Sequence, residues 1–498
     1  MVMFICDDRE IMKIEKMKLP LAVACCAWML TVVSGQDRPN VLFILSDDQG
    51  YADVGFHEGI AQTPNLDQLK RQGMELRRHY TQPQCGPTRS ALMSGRYPYR
   101  TAMHAGNVCP NSTWGLPSET YTMAEMFKDA GYQTALIGKW HLGHHYESLM
   151  PENQGFDYFY GFYLGEVHSY FTHDYFGAHA LHSQRKPVHT EGYMTDLFTE
   201  EAIKVIENKA DDQPLFLYLS YNAPHDPLEA KPEDEAKYPK VIYQHRKTYL
   251  AMIDCMDQGI GRVLQALEDK GIHDNTLIVF TSDNGGVFAR EQFAHNTPLR
   301  HGKGSSYEGA IRTPTLAVWA GRIEPGSVSD ELVYVADWYQ TFMELAGGKL
   351  PDDAPELDSF DVLPVLKGQE GQRTEIAMIS HQAHALVTKE WVAVQMGPDT
   401  IDPAVRKQLS SDPAALGGEL YNIEDEIWQR TDLAAKEPER FAAMMERMKL
   451  HYSGVQQSQF DLSQMDGPYP DDWGNAAIKD LNSESIRFDA HSNRRFLK

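Results

Sequence analysis

From about residue 38 to residue 370, short and almost uninterrupted apolar runs alternate with longer amphipathic stretches, the pattern of an α/β protein. Residues 40–45 (NVLFIL) read as a buried strand that stops at the polar run Ser46, Asp47, Asp48, Gln49, Gly50. Residues 134–138 read as a second, stopping at Lys139, Trp140 and His141. A third, 215–220, runs into Asn222 and His225, and a fourth, 277–282, into Asp283, Asn284, Gly285 and Gly286. Helical spacing covers 121–130, 196–208 and 244–270. Beyond 370 the pattern changes. Residues 376–380, 385–388 and 391–396 read as short strands and 438–452 as an amphipathic helix, so a smaller α+β unit is expected over 371–454. The Gly-bearing polar run 368–373 marks the boundary, and 455–498 reads as a polar tail.

In parallel α/β sheets, ligands bind beyond the carboxyl ends of the strands. One strand ending in polar residues means little, but four of them delivering Asp, Asn, Lys or His argue for a single convergent site. Asp47, Asp48, Asp283 and Asn284 offer hard oxygen ligands, suited to Ca²⁺ or Mg²⁺ and poorly to Zn²⁺ or Cu²⁺. Taken singly, such turns more often cap strands and helices. The glycine pair after Asn284 lets backbone approach closely. Lys139 and Lys303 are candidate anion clamps, and His141 and His225 candidate proton-transfer groups, although a lone His is as readily structural. His141, His144 and His145 follow a strand without Cys or a helical HExxH frame, which argues against zinc.

Residues 1–18 carry charges of both signs, 19–33 are nearly all apolar, and Val33, Ser34 and Gly35 are small. About 15 apolar residues fit a signal peptide (1–35) better than a bilayer span or a buried helix, with Met1 or Met17 as the start. Of six cysteines, only Cys85, Cys109 and Cys255 lie beyond this segment, too few for a disulfide framework. Cys255 reads as a helical core residue, and Cys109 either pairs with it or stays free. Asn111-Ser112-Thr113 is an acceptable glycosylation sequon. Net charge is −24, from 46 Lys and Arg against 70 Asp and Glu. That field disfavours nucleic acid and anionic membranes. An anionic substrate must therefore be drawn in by local cations.

Residues 84–96 (QCGPTRSALMSGR) read as a loop entering a helix, with Pro87 in the first turn and Arg89 one turn beyond Cys85. A cysteine at a helix N-terminus is expected to have a lowered pKa. The Cys-x-Pro-x-Arg core with its ALMSGR continuation resembles the signature of the sulfatase family, in which that cysteine is oxidised to formylglycine. Further blocks resemble the family in order: 38–51, Gly138–Gly143 (GKWHLG), Gly155–Asp157, Asn222–His225, Ser282–Gly286, Leu299–Lys303 with Tyr307–Gly309, and 419–434. Within the family the context is most similar to animal arylsulfatase B-type enzymes, N-acetylgalactosamine-4-sulfatase and its arylsulfatase I and J relatives.

The resemblance implies an alkaline-phosphatase-like catalytic domain over 38–370, a large mixed sheet sandwiched by helices, followed by the smaller C-terminal α+β domain. It implies Ca²⁺ held by Asp47, Asp48, Asp283, Asn284 and the formylglycine at 85, whose hydrate attacks sulfur. Lys139 and Lys303 would spread the sulfate charge, His225 (with Lys303) would protonate the leaving oxygen, His141 would deprotonate the second hydroxyl, and Arg89 would anchor the diol. It further implies a formylglycine-generating enzyme as maturation partner, a secreted or lysosomal destination, and an aryl or, more in keeping, carbohydrate sulfate as substrate. Most cysteines of the arylsulfatase B-type disulfides are missing, and Cys109 stands as half of one. Tyr163, His168, Tyr170 and His173 are candidate sugar contacts, or equally packed aromatics. Two competing readings are a formylglycine-dependent phosphonate or phosphodiester hydrolase, and a non-catalytic sulfated-glycan binder, which predicts a broken site.

Overall fold

Five strands pair in parallel at the centre: β1 (Asn40–Ser46), β2 (Gln133–Lys139), β3 (Tyr158–Phe162), β4 (Leu215–Ser220) and β5 (Thr276–Ser282), in the spatial order β5-β1-β4-β2-β3. The computed structural model describes residues 38–456 except 105, 176–177, 289–292, 380–382, 397–417 and 453; the expected signal peptide and the tail past 456 lie outside the described residues. β6 (Leu316–Val318) runs antiparallel to β5, and short strands at both edges complete a ten-stranded mixed sheet. Val41 to Leu45 are fully enclosed, which is why β1 reads as a continuous apolar run instead of an alternating one.

Two groups of helices cover the sheet. α1 (Pro64–Gln72), α4 (Met194–Glu207) and α5 (Gln244–Asp269) pack together, as do α2 (Cys85–Ser94), α3 (Met123–Asp129) and α6 (Asp337–Ala346). Phe43 of β1 meets Trp338 and Phe342 of α6 edge-on, tying the sheet to the second group. The start of α3 is set by a capping box in which Thr122 and Glu125 satisfy each other's backbone N–H.

A separate antiparallel sheet follows, in simple order: β7 (Glu375–Ile379), β8 (Ala383–Thr388), β9 (Trp391–Met396) and β10 (Glu419–Asn422). α7 (Pro438–Tyr452) packs on it. Arg78 joins the two sheets by donating to the carbonyls of Thr388, at 2.8 Å, and Lys389.

Register positions the chemistry. Ser46 lies opposite Ser282, Leu45 opposite Ser220, and Ser220 opposite Gly138. The residues that follow, Asp47, Asp283, Asn222 and Lys139, therefore leave the sheet along one edge.

Candidate active site

At that edge Lys139 Nζ donates to Asp47 Oδ2 at 2.5 Å and Lys303 Nζ to Asp48 at 2.7 Å. Arg89 holds Asp283 Oδ2 through Nε and Nη2 at 3.2 and 2.9 Å. Three carboxylates thus face three cations, in a pocket where Asp47, Arg89, Lys139 and Asp283 are fully buried. Burial alone would raise the Asp47 pKa, but Lys139, His225, Arg89 and Lys303 hold it well below the carboxylate range. Burial, with the charge of Asp47, pushes Asp283 upward. Lys303 is held firmly as a cation: Asp48, Cys85 and Asp47 outweigh the burial that would lower its pKa.

Backbone fit brings the two acidic turns together. A Cβ at Gly285 would sit 1.8 Å from the Gly309 carbonyl oxygen, and one at Gly286 would sit 2.9 Å from Gly50 backbone. Only glycine allows this approach. Asp48 has φ 64°, and Tyr249 clips its turn, donating to the Asp48 carbonyl at 2.9 Å and accepting from Gly50 N at 3.0 Å. Asn284 Nδ2 donates to Asp48 Oδ1 at 2.7 Å, while its Oδ1 is buried without a partner.

Cys85 begins α2, every residue of which is buried. Its Sγ lies 3.3 Å from Asp47 Oδ1, 3.8 Å from Asp48 Oδ1 and 3.3 Å from Lys303 Nζ. Asn107 Oδ1 caps the helix start by accepting from Gly86 N at 3.0 Å, and Thr88 Oγ1 accepts from Gln82 N at 2.9 Å to close the preceding loop. The expectation of an acidic thiol is overturned. Burial, reinforced by Asp283 and Asp47, pushes the Cys85 thiol well above its ordinary value, and Lys139 and Lys303 do not offset it. A helix N-terminus is a weak local influence beside two buried carboxylates.

The two histidines differ in tautomer. His225 Nδ1 lies 2.7 Å from the Asp226 carbonyl, which can only accept, so Nδ1 carries a proton and Nε2 faces Asp48 Oδ2 at 3.6 Å. His141, with φ 60°, places Nε2 3.2 Å from the Val108 carbonyl, so Nε2 is the N–H and Nδ1 a bare acceptor, buried with no partner. Burial, then the charges of Lys139 and Arg89, lower the His141 pKa well below its usual value and keep the ring neutral. A Cβ at Gly165 would be 2.6 Å from His141 Cε1 and Nε2, so residue 165 must be small.

Ligand atoms of Asp47, Asp48, Cys85 and His225 all lie within 4.8 Å of one another. Asp283 joins them through Asp48 N, which it accepts at 3.2 Å, and Asn284 through Asp48 Oδ1. Arg89 spends its remaining contacts on the Lys139 carbonyl at 2.9 Å and Ser220 Oγ at 2.5 Å. Asn111 takes no part in these hydrogen bonds and sits in a half-buried turn. Cys109 and Cys255 are both free thiols, so the bridge between them is excluded, and Cys255 is a buried residue of α5.

Three of the four suggested sugar contacts point inward. Tyr163 is buried with its hydroxyl on Glu152, His173 is buried with Nε2 on the Gly192 carbonyl, and Tyr170 is buried with its hydroxyl 2.8 Å from Asn222 O and 2.9 Å from His225 O. Only His168 is exposed, against Tyr175. Tyr170 instead pins the turn that carries His225. Asn107, Gly165, Ser220 and Tyr249 are likewise site-shaping residues that sequence reasoning missed; none sits in a pattern that announces it.

A family model described as Sulfatase matches residues 39–348. The chain is 35% identical to arylsulfatase J of Mus musculus over 364 residues, 72% of this chain and 60% of that protein, so it spans less than two thirds of that relative's length. It is 32% identical to N-acetylgalactosamine-6-sulfatase of Canis lupus familiaris over 372 residues, 70% of this chain and 69% of that one. Among solved structures, Ps i-CgsB in complex with k-i-k-neocarrahexaose superposes with a TM-score of 0.77 at 32% identity, covering 86% of this chain and 96% of that one. The PsFucS1 sulfatase from Pseudoalteromonas sp. gives 0.71 at 26% identity, covering 85% and 92%. The shared architecture is the alkaline-phosphatase-like sandwich with its small antiparallel sheet.

Proposed function

This chain belongs to the sulfatase family, and on that premise we propose that it hydrolyses sulfate esters of carbohydrates in the secretory pathway, with residue 85 matured from cysteine to formylglycine by a formylglycine-generating enzyme. The observation that carries the reading is the setting of Cys85, 1% exposed and 3.3 Å from both Asp47 and Lys303. A thiol whose pKa is driven up by burial, and further by Asp283 and Asp47, is a poor nucleophile as it stands. The same position suits the precursor of an uncharged group. The carbohydrate part of the proposal is supported by relatives named for N-acetylgalactosamine sulfate and a structural neighbour holding neocarrahexaose. The apolar leader and the Asn111 sequon agree with a secreted or lysosomal destination.

The residues present fit a hard divalent cation: Asp47, Asp48, Asp283 and Asn284 bring only oxygen, and Asn284 Oδ1 is buried with no other partner. When bound there, with residue 85 completing the set, Ca²⁺ supplies Lewis-acid neutralisation of charge on the sulfate. Formylglycine hydrated at residue 85 would supply one hydroxyl to displace the alcohol from sulfur and a second whose deprotonation would expel sulfate and restore the aldehyde. Lys139 and Lys303 bind sulfate oxygens. With three carboxylates already balanced by Arg89 and these two lysines, a divalent ion leaves the pocket positive, which answers how an anion enters a protein of net charge −24. His225 Nδ1 is committed to the Asp226 carbonyl, so the ring can donate to the leaving oxygen from Nε2 only when both ring nitrogens carry protons. His141 takes a proton at Nδ1, its one unengaged ring nitrogen. Arg89 acts beneath them, holding Asp283 and the start of α2 in register.

Mass spectrometry of the Cys85 peptide from secreted protein tests the reading. An aldehyde at residue 85 is expected, and Cys85→Ala should abolish turnover of 4-nitrophenyl sulfate. An unmodified thiol in fully active enzyme refutes the nucleophile, and faster turnover of an aryl phosphonate refutes the sulfate assignment.

A further inference from the structure

Beside Lys303 stand two rings that nothing in the chemistry above employs. Phe288 is 61% exposed although it lies only four residues beyond Asn284. His301, also exposed, lies two residues before Lys303. The two arms are zipped together: Lys303 N donates to the Gly286 carbonyl at 3.1 Å, and Asn296 Nδ2 to the His301 carbonyl at 2.9 Å. A Cβ at Gly302 would meet Phe288 Cβ at 3.1 Å, so the phenylalanine lies directly against the backbone leading into Lys303.

The rings form one cluster, in which Phe288 is tilted 58° to His301. Phe288 and His301 centroids are 5.2 Å apart; His301 lies parallel to Tyr307 at 5.1 Å; the Arg300 guanidinium covers the other side of Tyr307 at 4.0 Å. Tyr307 is anchored in turn by its hydroxyl, which donates to Glu419 of β10 at 2.6 Å. His301 is held at φ 61°, left-handed backbone that non-glycine residues seldom adopt. Asp48 and His141 show the same departure, at 64° and 60°.

Arg300, the next cation along the chain, is turned away, donating to Tyr421 Oη and the Gln429 carbonyl, both at 2.7 Å. Asp226, the residue after His225, is an exposed acid. Lys303 and His225 face the leaving oxygen in the proposed reaction, so the rim they share is where the alcohol half of the ester must lie.

We propose that Phe288 and His301 form a subsite for the leaving alcohol of the ester, a pyranose ring that lays its apolar C–H face on the phenylalanine and bears no carboxylate of its own. The subsite rests on the sulfate-hydrolase reading and extends it to a substrate class: sulfated glycans built from neutral sugars, in preference to those alternating with uronic acids. Aromatic rings offer a flat apolar face at little entropic cost, and the acid at the rim accepts from hydroxyls while repelling a neighbouring anion.

The test uses the matured full-length enzyme with three probes: 4-nitrophenyl sulfate, a monosulfated galactobiose, and the same sulfated galactose joined to glucuronate. Phe288→Ala and His301→Gly are each expected to raise KM for the sulfated galactobiose about tenfold with kcat nearly unchanged. The loss of kcat/KM on 4-nitrophenyl sulfate should be at least about threefold smaller, and Phe288→Tyr should restore the galactobiose KM. Wild-type enzyme should prefer galactobiose to the glucuronate-bearing probe. Equal losses on aryl and glycan substrates, no loss on galactobiose, failure of Phe288→Tyr to rescue, or preference for glucuronate overturns the subsite alone. A wild-type protein inactive on all three probes overturns the hydrolase reading and the subsite with it.

Discussion

Arg89 grips the Asp283 carboxylate twice, through Nε at 3.2 Å and Nη2 at 2.9 Å, with both side chains wholly out of solvent. Its other donors reach the Lys139 carbonyl and Ser220 Oγ, so one guanidinium ties α2 to the ends of β2, β4 and β5. Arg89→Ala strands a buried carboxylate and should cost about 3–5 kcal/mol. Arg89→Lys keeps the charge but loses the fork, and should fall between the two. Chemical denaturation of all three proteins decides it; wild-type stability in the alanine variant contradicts the strut.

Calcium should raise the thermal midpoint of the matured protein, because a ligand bound only by the folded state stabilises it by mass action. At 100 times its dissociation constant the gain is about 2.7 kcal/mol. Chelation should reverse it, and Asn284→Ala or Asp48→Asn should shrink it. A midpoint indifferent to both Ca²⁺ and chelator would remove the cation from this site.

Gly165→Ala places a methyl group 2.6 Å from the His141 ring. The ring must move off its hydrogen bond to Val108, and with it Nδ1, the proposed proton acceptor. The expected result is a fall in kcat of about 10²-fold, as when a general base is lost, with KM little altered. Steady-state kinetics beside His141→Gln provide the comparison: a glycine variant as active as wild type would show that Nδ1 needs no such placement.

Tyr170→Phe removes the hydroxyl shared by the carbonyls of Asn222 and His225. The Asn222 carbonyl keeps the His225 N–H at 2.9 Å, so it is the His225 carbonyl that loses its partner, at a cost of about 1–3 kcal/mol. Loss of activity should exceed loss of stability, since His225 is released while the core stays packed. Thermal unfolding and turnover, measured together, separate the two.

The docking of α7 should depend on acidity. Glu375 of β7 takes a hydrogen bond from His451 at 3.3 Å and pairs with Arg447. The His451 bond, with the charge of Arg447, lowers the Glu375 pKa against the burial that would raise it. For an acid with a depressed folded pKa, the stabilisation is present above the unfolded value, about 4.3, and is lost as pH falls through the folded one. Glu375→Gln should therefore cost about 0.5 kcal/mol near neutral pH, a figure kept small by solvent screening, and nothing near pH 3. Urea titrations at the two pH values would reveal a constant difference if the ion pair were idle.

Much of the architecture was legible because buried parallel strands carry apolar residues on both faces. β1, β2, β4 and β5 stand out as runs that end where polar residues begin, and the strands and helix beyond 370 fall close to their expected spans. The short strands Met74–Leu76 and Ser327–Ser329 are not legible, since three residues show no period. Within the site, residue types were readable and their surroundings were not. Cys85 at a helix start suggests an acidic thiol, yet burial, with Asp283 and Asp47 at the ends of β5 and β1, reverses that tendency. Tyr170 reads equally as a sugar contact or a packed aromatic, and tertiary structure makes it a buried support for His225.

The sequence by itself determined which chemistry ends each strand: carboxylates after β1 and β5, a lysine closing β2 with a histidine beyond it, a histidine after β4, and a cysteine opening α2. Covalent order guarantees those neighbours whatever the rest of the chain does. Tertiary structure alone decided their protonation, tautomers and aim. These depend on distances of a few ångströms between groups up to about 250 residues apart, and such distances exist only once strand register, burial and the close approach of glycine backbones have been set.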